Sequence, residues 1–178
     1  MSKLSIPLSA EDHIQGDPAA ECILVEYGDY QCPSCGEAYP IVQKLQKHFG
    51  DRLSFVFRNF PLSQIHPWAE PAAEAAEFSA DHGKFWEMHD LLFENQENLG
   101  EALFVKLAGA LDLSPTQLET AVAEREYQAR VQDDFAGGVR SGVNGTPTFF
   151  INGQRHNGSY DFVSLSDAIT RESKISFR

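Results

Sequence analysis

Cys32-Pro33-Ser34-Cys35 follows the apolar run Ile23-Leu24-Val25 and precedes a stretch with helical periodicity. Two cysteines separated by two residues at a strand-to-helix turn are typical of a thiol–disulfide redox site. The backbone N–H groups and the dipole at a helix N-terminus stabilise a thiolate there, and Pro33 suits the first helical position. We therefore expect Cys32 to be an exposed nucleophile with a lowered pKa. Cys35, one turn further along, is expected to be the shielded resolving thiol.

Half of a structural zinc site is the alternative interpretation of this motif. Structural zinc needs four ligands, usually completed by a second cysteine pair or by closely spaced histidines. The remaining candidates are Cys22 and six scattered histidines, which include His82 and His89 in or beside predicted helices. Cys22 lies about 13 Å from the active end of a straight strand, too far for a disulfide, and is expected to be buried. We expect packed or surface histidines and neither a metal nor a cofactor.

A second motif lies more than a hundred residues later, at Gly142-Val143-Asn144-Gly145-Thr146-Pro147-Thr148-Phe149-Phe150-Ile151-Asn152-Gly153. An Asn-Gly pair after β-forming residues is a strong hairpin signal. Proline cannot donate to a sheet, so Pro147 is expected at the first residue of the strand. The pattern predicts a glycine-rich loop, a strand and a tight turn, and it leaves the isomer of the Thr146–Pro147 peptide open.

Four stretches together carry a family resemblance: residues 25–35, His66-Pro67, residues 83–90 and residues 145–149. The combination resembles the DsbA-like branch of the thioredoxin superfamily over roughly residues 12–170. The resemblance implies a thioredoxin fold interrupted by a helical insertion. It also implies a cis Thr146–Pro147 peptide packed against the two cysteines.

The chain departs from the best-known oxidase of that family at Ser34, where the oxidase has a histidine. An imidazole there helps to stabilise the thiolate, whereas serine offers only a hydroxyl. We therefore expect a reduction potential between those of thioredoxin and the DsbA oxidase, about −270 and −120 mV respectively.

Glu26 is an acidic residue within an apolar strand, six residues before Cys32. A buried carboxylate is costly unless it has a partner or a function. Related thioredoxin-like proteins carry a buried acid at this spacing, so the resemblance favours a proton acceptor for Cys35. The alternative is that Glu26 ends the strand, paired with Arg58 or with water.

The fold class expected is α/β, a thioredoxin fold with an inserted helical domain. The apolar patterns predict strands at 23–26, 53–57, 148–151 and 154–156. They predict helices at 36–49, 72–78, 85–93, 103–111, 117–135 and 161–172, with Ser114-Pro115 beginning the fifth of these. We place a thioredoxin-like domain at 1–61 plus 138–178 and a helical insertion domain at 62–137.

The 178 residues carry a formal net charge of −12, which argues against nucleic acid or an anionic membrane as a partner. No stretch approaches the ~20 apolar residues of a membrane span. Residues 1–16 contain no apolar segment typical of a signal peptide, so we expect a cytoplasmic location. No dimerisation segment is visible, and a monomer is expected.

These observations favour a thiol–disulfide oxidoreductase that acts on protein or peptide thiols and disulfides and is recycled by a separate redox partner. Pro33, Ser34, Thr146 and Pro147 are the expected substrate-binding residues. Trp68, Phe85 and Trp86 of the insertion are expected mainly to pack. A disulfide isomerase and a chaperone-like binding module on the same scaffold are the alternatives.

Overall fold

The structure is a computed structural model that describes residues 2–175, with side chains to residue 173. Within these residues, five strands form one sheet in the order β1-β3-β2-β4-β5. The strands are β1 His13–Gln15, β2 Cys22–Gly28, β3 Leu53–Asn59, β4 Thr148–Ile151 and β5 Gln154–Arg155. The helices are α1 Pro33–Phe49, α2 Ala69–Ala80, α3 Phe85–Glu94, α4 Glu101–Ala110, α5 Pro115–Ala123, α6 Gln128–Arg140 and α7 Phe162–Ile175. The predicted thioredoxin fold with a helical insertion is confirmed.

The two central strands are buried on both faces. All seven residues of β3 and six of the seven in β2 are buried, which explains why their apolar runs are continuous rather than alternating. Each fully buried Leu, Val or Phe side chain contributes about 1.5–3 kcal/mol, so these strands supply much of the driving force for folding. Val42 and Leu45 of α1 and Leu165 and Ile169 of α7 are buried in the same unit.

Antiparallel pairing of β2 with β4 sets the register around the predicted loop. Glu26 lies opposite Phe149, and Tyr27 lies opposite Thr148. Pro147 therefore immediately precedes the first residue of β4, as predicted from its missing N–H. The edge strand β1, which pairs with β3, has only three residues and was not predicted.

Two helix boundaries differ from the predictions. Helix α1 begins at Pro33 rather than at residue 36, so it includes Cys35. The helix predicted at 117–135 is two helices, because the chain turns at Arg125, which has φ 57°. The N–H of Glu126 donates to the Ala121 carbonyl, a closure that usually has glycine at the left-handed position.

The chain divides into two compact units. The sheet unit contains the residues up to Gly28, Glu37–Arg58 and the residues from Ala136 onward. The helical unit contains Asp29–Gly36 and Asn59–Phe135. The expected limits at 61/62 and 137/138 differ from these by a few residues, and the contacts group the cysteine turn with the helical unit. The predicted independence of the insertion as a domain stays a prediction.

Helix α2 is the buried centre of the helical unit. Its alanines are buried, and so are Glu70, Glu74 and Glu77, which share one face. Arg125 forms ion pairs with Glu70 at 2.9 Å and with Glu74 at 3.5 Å. Burial nevertheless raises the pKa of Glu74, against the opposing charge of Arg125. Across the described residues, no helix combines the length and the hydrophobicity that a bilayer span requires.

Candidate active site

The two cysteines lie at the beginning of α1, where the sequence placed them. The N–H of Gly36 donates to the Cys32 carbonyl at 3.1 Å, so Cys32 occupies the N-cap position and Pro33 the first helical position. Cys32 is 6% exposed, whereas Cys35 is 0% exposed. Pro33 is exposed and Ser34 is half-buried. The first cysteine thus reaches the surface beside the unsatisfied N–H groups of the helix, and the second is shielded.

Asp29 holds the turn that leads into Cys32. One oxygen of its buried carboxylate accepts hydrogen bonds from the N–H groups of Gln31 at 2.7 Å and Cys32 at 3.2 Å. The other oxygen accepts from the N–H of Leu62 at 2.9 Å and lies 2.8 Å from Nδ1 of His66. Asp29 therefore ties the cysteine turn to the segment that precedes α2.

Two further side chains of the turn contact the helical unit. The amide oxygen of Gln31 accepts from the N–H of Trp68 at 2.7 Å. The Tyr30 hydroxyl lies 2.9 Å from Nδ1 of His89, and both side chains are buried. His89 is thus packed inside the helical unit, and exposed His82 bonds through Nδ1 to the Phe78 carbonyl.

Sequence reasoning missed Asp29, Gln31 and His66 as parts of the site. One signal was available for Asp29, because an aspartate three residues before a helix start is a common Asx-turn pattern. His66 was quoted only as part of a resemblance. Its contact with Asp29 spans 37 residues and has no local signature.

The Thr146–Pro147 peptide is cis, the geometry that the resemblance implied. The Thr148 hydroxyl donates to the Gly145 carbonyl at 2.7 Å and closes this loop at the start of β4. Thr146 and Pro147 are half-buried and belong to the sheet unit. The predicted packing of the loop against the cysteines stays a prediction.

Glu26 is 3% exposed in the interior of β2, and the strand continues two residues beyond it. It therefore does not end the strand. Pairing with Arg58 is also wrong, because all five guanidinium N–H groups of Arg58 donate elsewhere. Their acceptors are the carboxylate of Asp12, the carbonyls of Ile6 and Pro7, and the hydroxyl of Tyr27.

Cys22 is fully buried at the start of β2, as predicted. Burial, reinforced by the negative charge of Glu172, raises the pKa of its thiol to about 12. Such a thiol stays protonated at neutral pH and is a poor nucleophile. Among residues 2–175, no group of three or more histidine, cysteine or acidic side chains is arranged to hold a metal ion.

Comparison with known proteins gives one family model, described as Thioredoxin, which matches residues 8–171. A relative from Salinispora arenicola, the Na(+)/H(+) antiporter NhaA 1, is 44% identical over 168 residues. The match covers 94% of this chain but only 26% of the antiporter. The chain thus spans about a quarter of the length of the curated relatives it matches.

Three solved structures are similar over nearly the whole chain. BdbD from Bacillus subtilis in its oxidised form has a TM-score of 0.86 and 27% identity, covering 97% of this chain and 98% of its own. A thioredoxin-like oxidoreductase from Silicibacter pomeroyi has a TM-score of 0.81 and 26% identity, covering 93% and 94% respectively. Wolbachia pipientis alpha-DsbA1 has a TM-score of 0.80 and 19% identity, covering 98% and 96%.

The expectation of a cytoplasmic location is wrong. The structural neighbours, BdbD and alpha-DsbA1 among them, are periplasmic or extracytoplasmic oxidases. The expectation rested on residues 1–16, and where this sequence begins carries no information about location because the chain matches only part of longer relatives.

Proposed function

Because the chain belongs to the thioredoxin family, we propose that it is a DsbA-like thiol–disulfide oxidoreductase acting on protein or peptide thiols and disulfides. The observation that carries the proposal is the pairing of a surface-reaching Cys32 at the N-cap of α1 with a shielded Cys35 one turn inside. This is the placement that thiol–disulfide exchange requires, since the attacking sulfur must be both ionised and accessible.

The exchange proceeds in two displacement steps. The Cys32 thiolate attacks one sulfur of a substrate disulfide, forms a mixed disulfide and releases the other substrate sulfur as a thiolate. Cys35 then loses its proton and attacks the Cys32 sulfur, which releases the second substrate thiolate. The protein ends as the Cys32–Cys35 disulfide and the substrate as a dithiol. The same steps in reverse oxidise a substrate dithiol and leave the protein reduced.

The helix N-terminus explains why the first step begins at Cys32. The N–H groups of the first helical turn have no partner within the helix, and their dipole favours a negative charge at the N-cap. Pro33 preserves this arrangement because it has no N–H of its own. Exposed Pro33 and half-buried Ser34 flank the reactive sulfur, and we assign them to the surface that a substrate meets.

Three residues of the sheet unit complete the proposal, and their roles rest on family membership. Thr146 and Pro147 are assigned to the substrate groove, and Glu26 is assigned as the proton acceptor for Cys35. The burial of Glu26, with every N–H of Arg58 directed to other acceptors, supports a functional rather than an ion-pairing carboxylate. The partners proposed are a client protein thiol and a second redox protein that restores the couple, with the chain acting as a monomer.

Reduction of insulin by glutathione, followed by turbidity and by trapping of mixed disulfides, tests the assignment. We expect Cys35→Ser to accumulate a mixed disulfide at Cys32, and Cys32→Ser to lose both activity and trapping. Cys22→Ser is the matched control and keeps full activity. Undiminished insulin reduction by Cys32→Ser would overturn the mechanism, and a wild-type protein that binds unfolded insulin without reducing it would indicate a chaperone-like module.

A further inference from the structure

Gln96 contacts the cysteine turn from a distant part of the helical unit. It begins the short 3-10 segment Gln96–Asn98 after α3, 64 residues beyond Cys32. Its side-chain nitrogen donates to the Tyr30 carbonyl at 2.9 Å and to the Cys32 carbonyl at 2.8 Å. An amide nitrogen carries two hydrogens, so these two bonds use both. A single side chain therefore spans two peptide groups of the turn.

Gly36 provides the space that Gln96 occupies. A Cβ atom at position 36 would lie 2.2 Å from the amide oxygen of Gln96, far inside van der Waals contact. Glycine within a helix costs about 0.5–1 kcal/mol relative to alanine, so its presence in the first turn of α1 has no advantage in helix propensity. The absence of a side chain at Gly36 is what allows the Gln96 amide to reach the turn.

We propose that Gln96 is a positioning residue for the Cys32–Cys35 couple. Building on the proposed thiol–disulfide function, the Gln96 amide fixes the carbonyls on both sides of residue 31. The Cys32 carbonyl accepts from Gln96 and also from the first helical N–H, that of Gly36. Fixing this peptide group keeps the Cys32 sulfur at the N-terminus of α1, where its thiolate is stabilised. Since a stabilised thiolate makes the pair a stronger oxidant, Gln96 raises the reduction potential.

The isosteric variant Gln96→Glu tests this assignment. A carboxylate cannot donate to the two carbonyls, and its charge beside Cys32 disfavours the thiolate. Equilibration with glutathione buffers should show the oxidised form of the protein favoured about tenfold more than in wild type, equivalent to a potential about 30 mV lower. Alkylation of Cys32 at fixed pH should slow in parallel. Asn98→Asp is the matched control, because it adds the same charge on the same 3-10 segment at an exposed position. Its equilibrium should stay within about twofold of wild type.

A double-mutant cycle separates positioning from general stability. Gly36→Ala displaces the Gln96 amide, so it should shift the glutathione equilibrium in the same direction as Gln96→Ala, by about threefold or more. Adding Gly36→Ala to Gln96→Ala should produce no further shift, because the displaced group is already absent. Additive shifts, or an unchanged equilibrium in Gln96→Glu, would overturn the proposal.

These measurements report on the dithiol itself and need no protein substrate. A shifted equilibrium in Gln96→Glu together with a wild-type protein inactive on insulin would refute the proposed function and leave the role of Gln96 intact. An active wild type with an unshifted Gln96→Glu would refute the role of Gln96 alone.

Discussion

Replacing Asp29 should destabilise the protein more than any exposed acid of the helical unit. The carboxylate is 1% exposed and accepts the N–H groups of Gln31, Cys32 and Leu62. In Asp29→Ala the N–H of Cys32 keeps the Asp29 carbonyl, 3.1 Å away, as its acceptor. The N–H groups of Gln31 and Leu62 lose the acceptor described for them, and an unsatisfied buried donor costs about 1–3 kcal/mol. Because these two sites are only partly buried, we expect a loss of about 2–4 kcal/mol.

Asp29→Asn should cost about half as much. Its single amide oxygen serves either the pair Gln31 and Cys32 or the side facing Leu62, and its NH₂ group meets a donor on the other side. Urea unfolding of the reduced protein measures both variants, with Asp133→Asn as the control. Asp133 is exposed in the same unit, and a substitution there should stay within about 0.5 kcal/mol of wild type. An Asp29→Ala protein within about 1 kcal/mol of wild type would refute the assignment of Asp29 as the clamp of the turn.

Three further outcomes follow from single residues. Cys22, fully buried with a pKa of about 12, should resist iodoacetamide in the native protein, and modification by mass spectrometry before unfolding would contradict this. Ser34→His should move the reduction potential toward about −120 mV, because an imidazolium stabilises the Cys32 thiolate, and an unmoved glutathione equilibrium would count against the role given to Ser34. Burial raises the pKa of Asp134 above its ordinary 3.8, so its protonated form favours folding; this stabilisation is full below about pH 3.8 and is lost as the pH rises through the folded-state pKa. The free energy of unfolding of wild type should therefore fall relative to Asp134→Asn from about pH 4 toward neutrality, and a pH-independent difference would contradict this sign.

The features predicted correctly are those with local signatures. The strands β2 and β3 were visible as apolar runs, α5 as a Ser114-Pro115 start, and the hairpin after β4 as Asn152-Gly153. Each depends on a few adjacent residues whose backbone preferences agree with the final fold. The Ser114 hydroxyl indeed accepts the N–H of Gln117, and both Asn152 and Gly153 have positive φ.

The break between α5 and α6 was missed because its left-handed residue is Arg125 rather than glycine. The arginine adopts a conformation that costs an L-residue about 1 kcal/mol or more, and no local pattern announces it. Its guanidinium pairs with Glu70 and Glu74, some fifty residues earlier on α2. Those ion pairs to buried carboxylates give a reason for an arginine at the helix end, and they exist only in the folded helical unit.

The same limitation applies to the cysteine turn, with a consequence for how its chemistry is controlled. The sequence analysis assigned residues 1–61 to the thioredoxin-like domain, yet Asp29–Gly36 groups with the helical unit. The side chains that contact the turn there include His66, His89 and Gln96, each brought to it by helix packing rather than by sequence proximity. Backbone hydrogen bonds set the position of the reactive sulfur relative to the N-terminus of α1, and that position sets the stability of its thiolate. Substitutions in the helical insertion should therefore tune the reduction potential while leaving both cysteines and the residues between them unchanged.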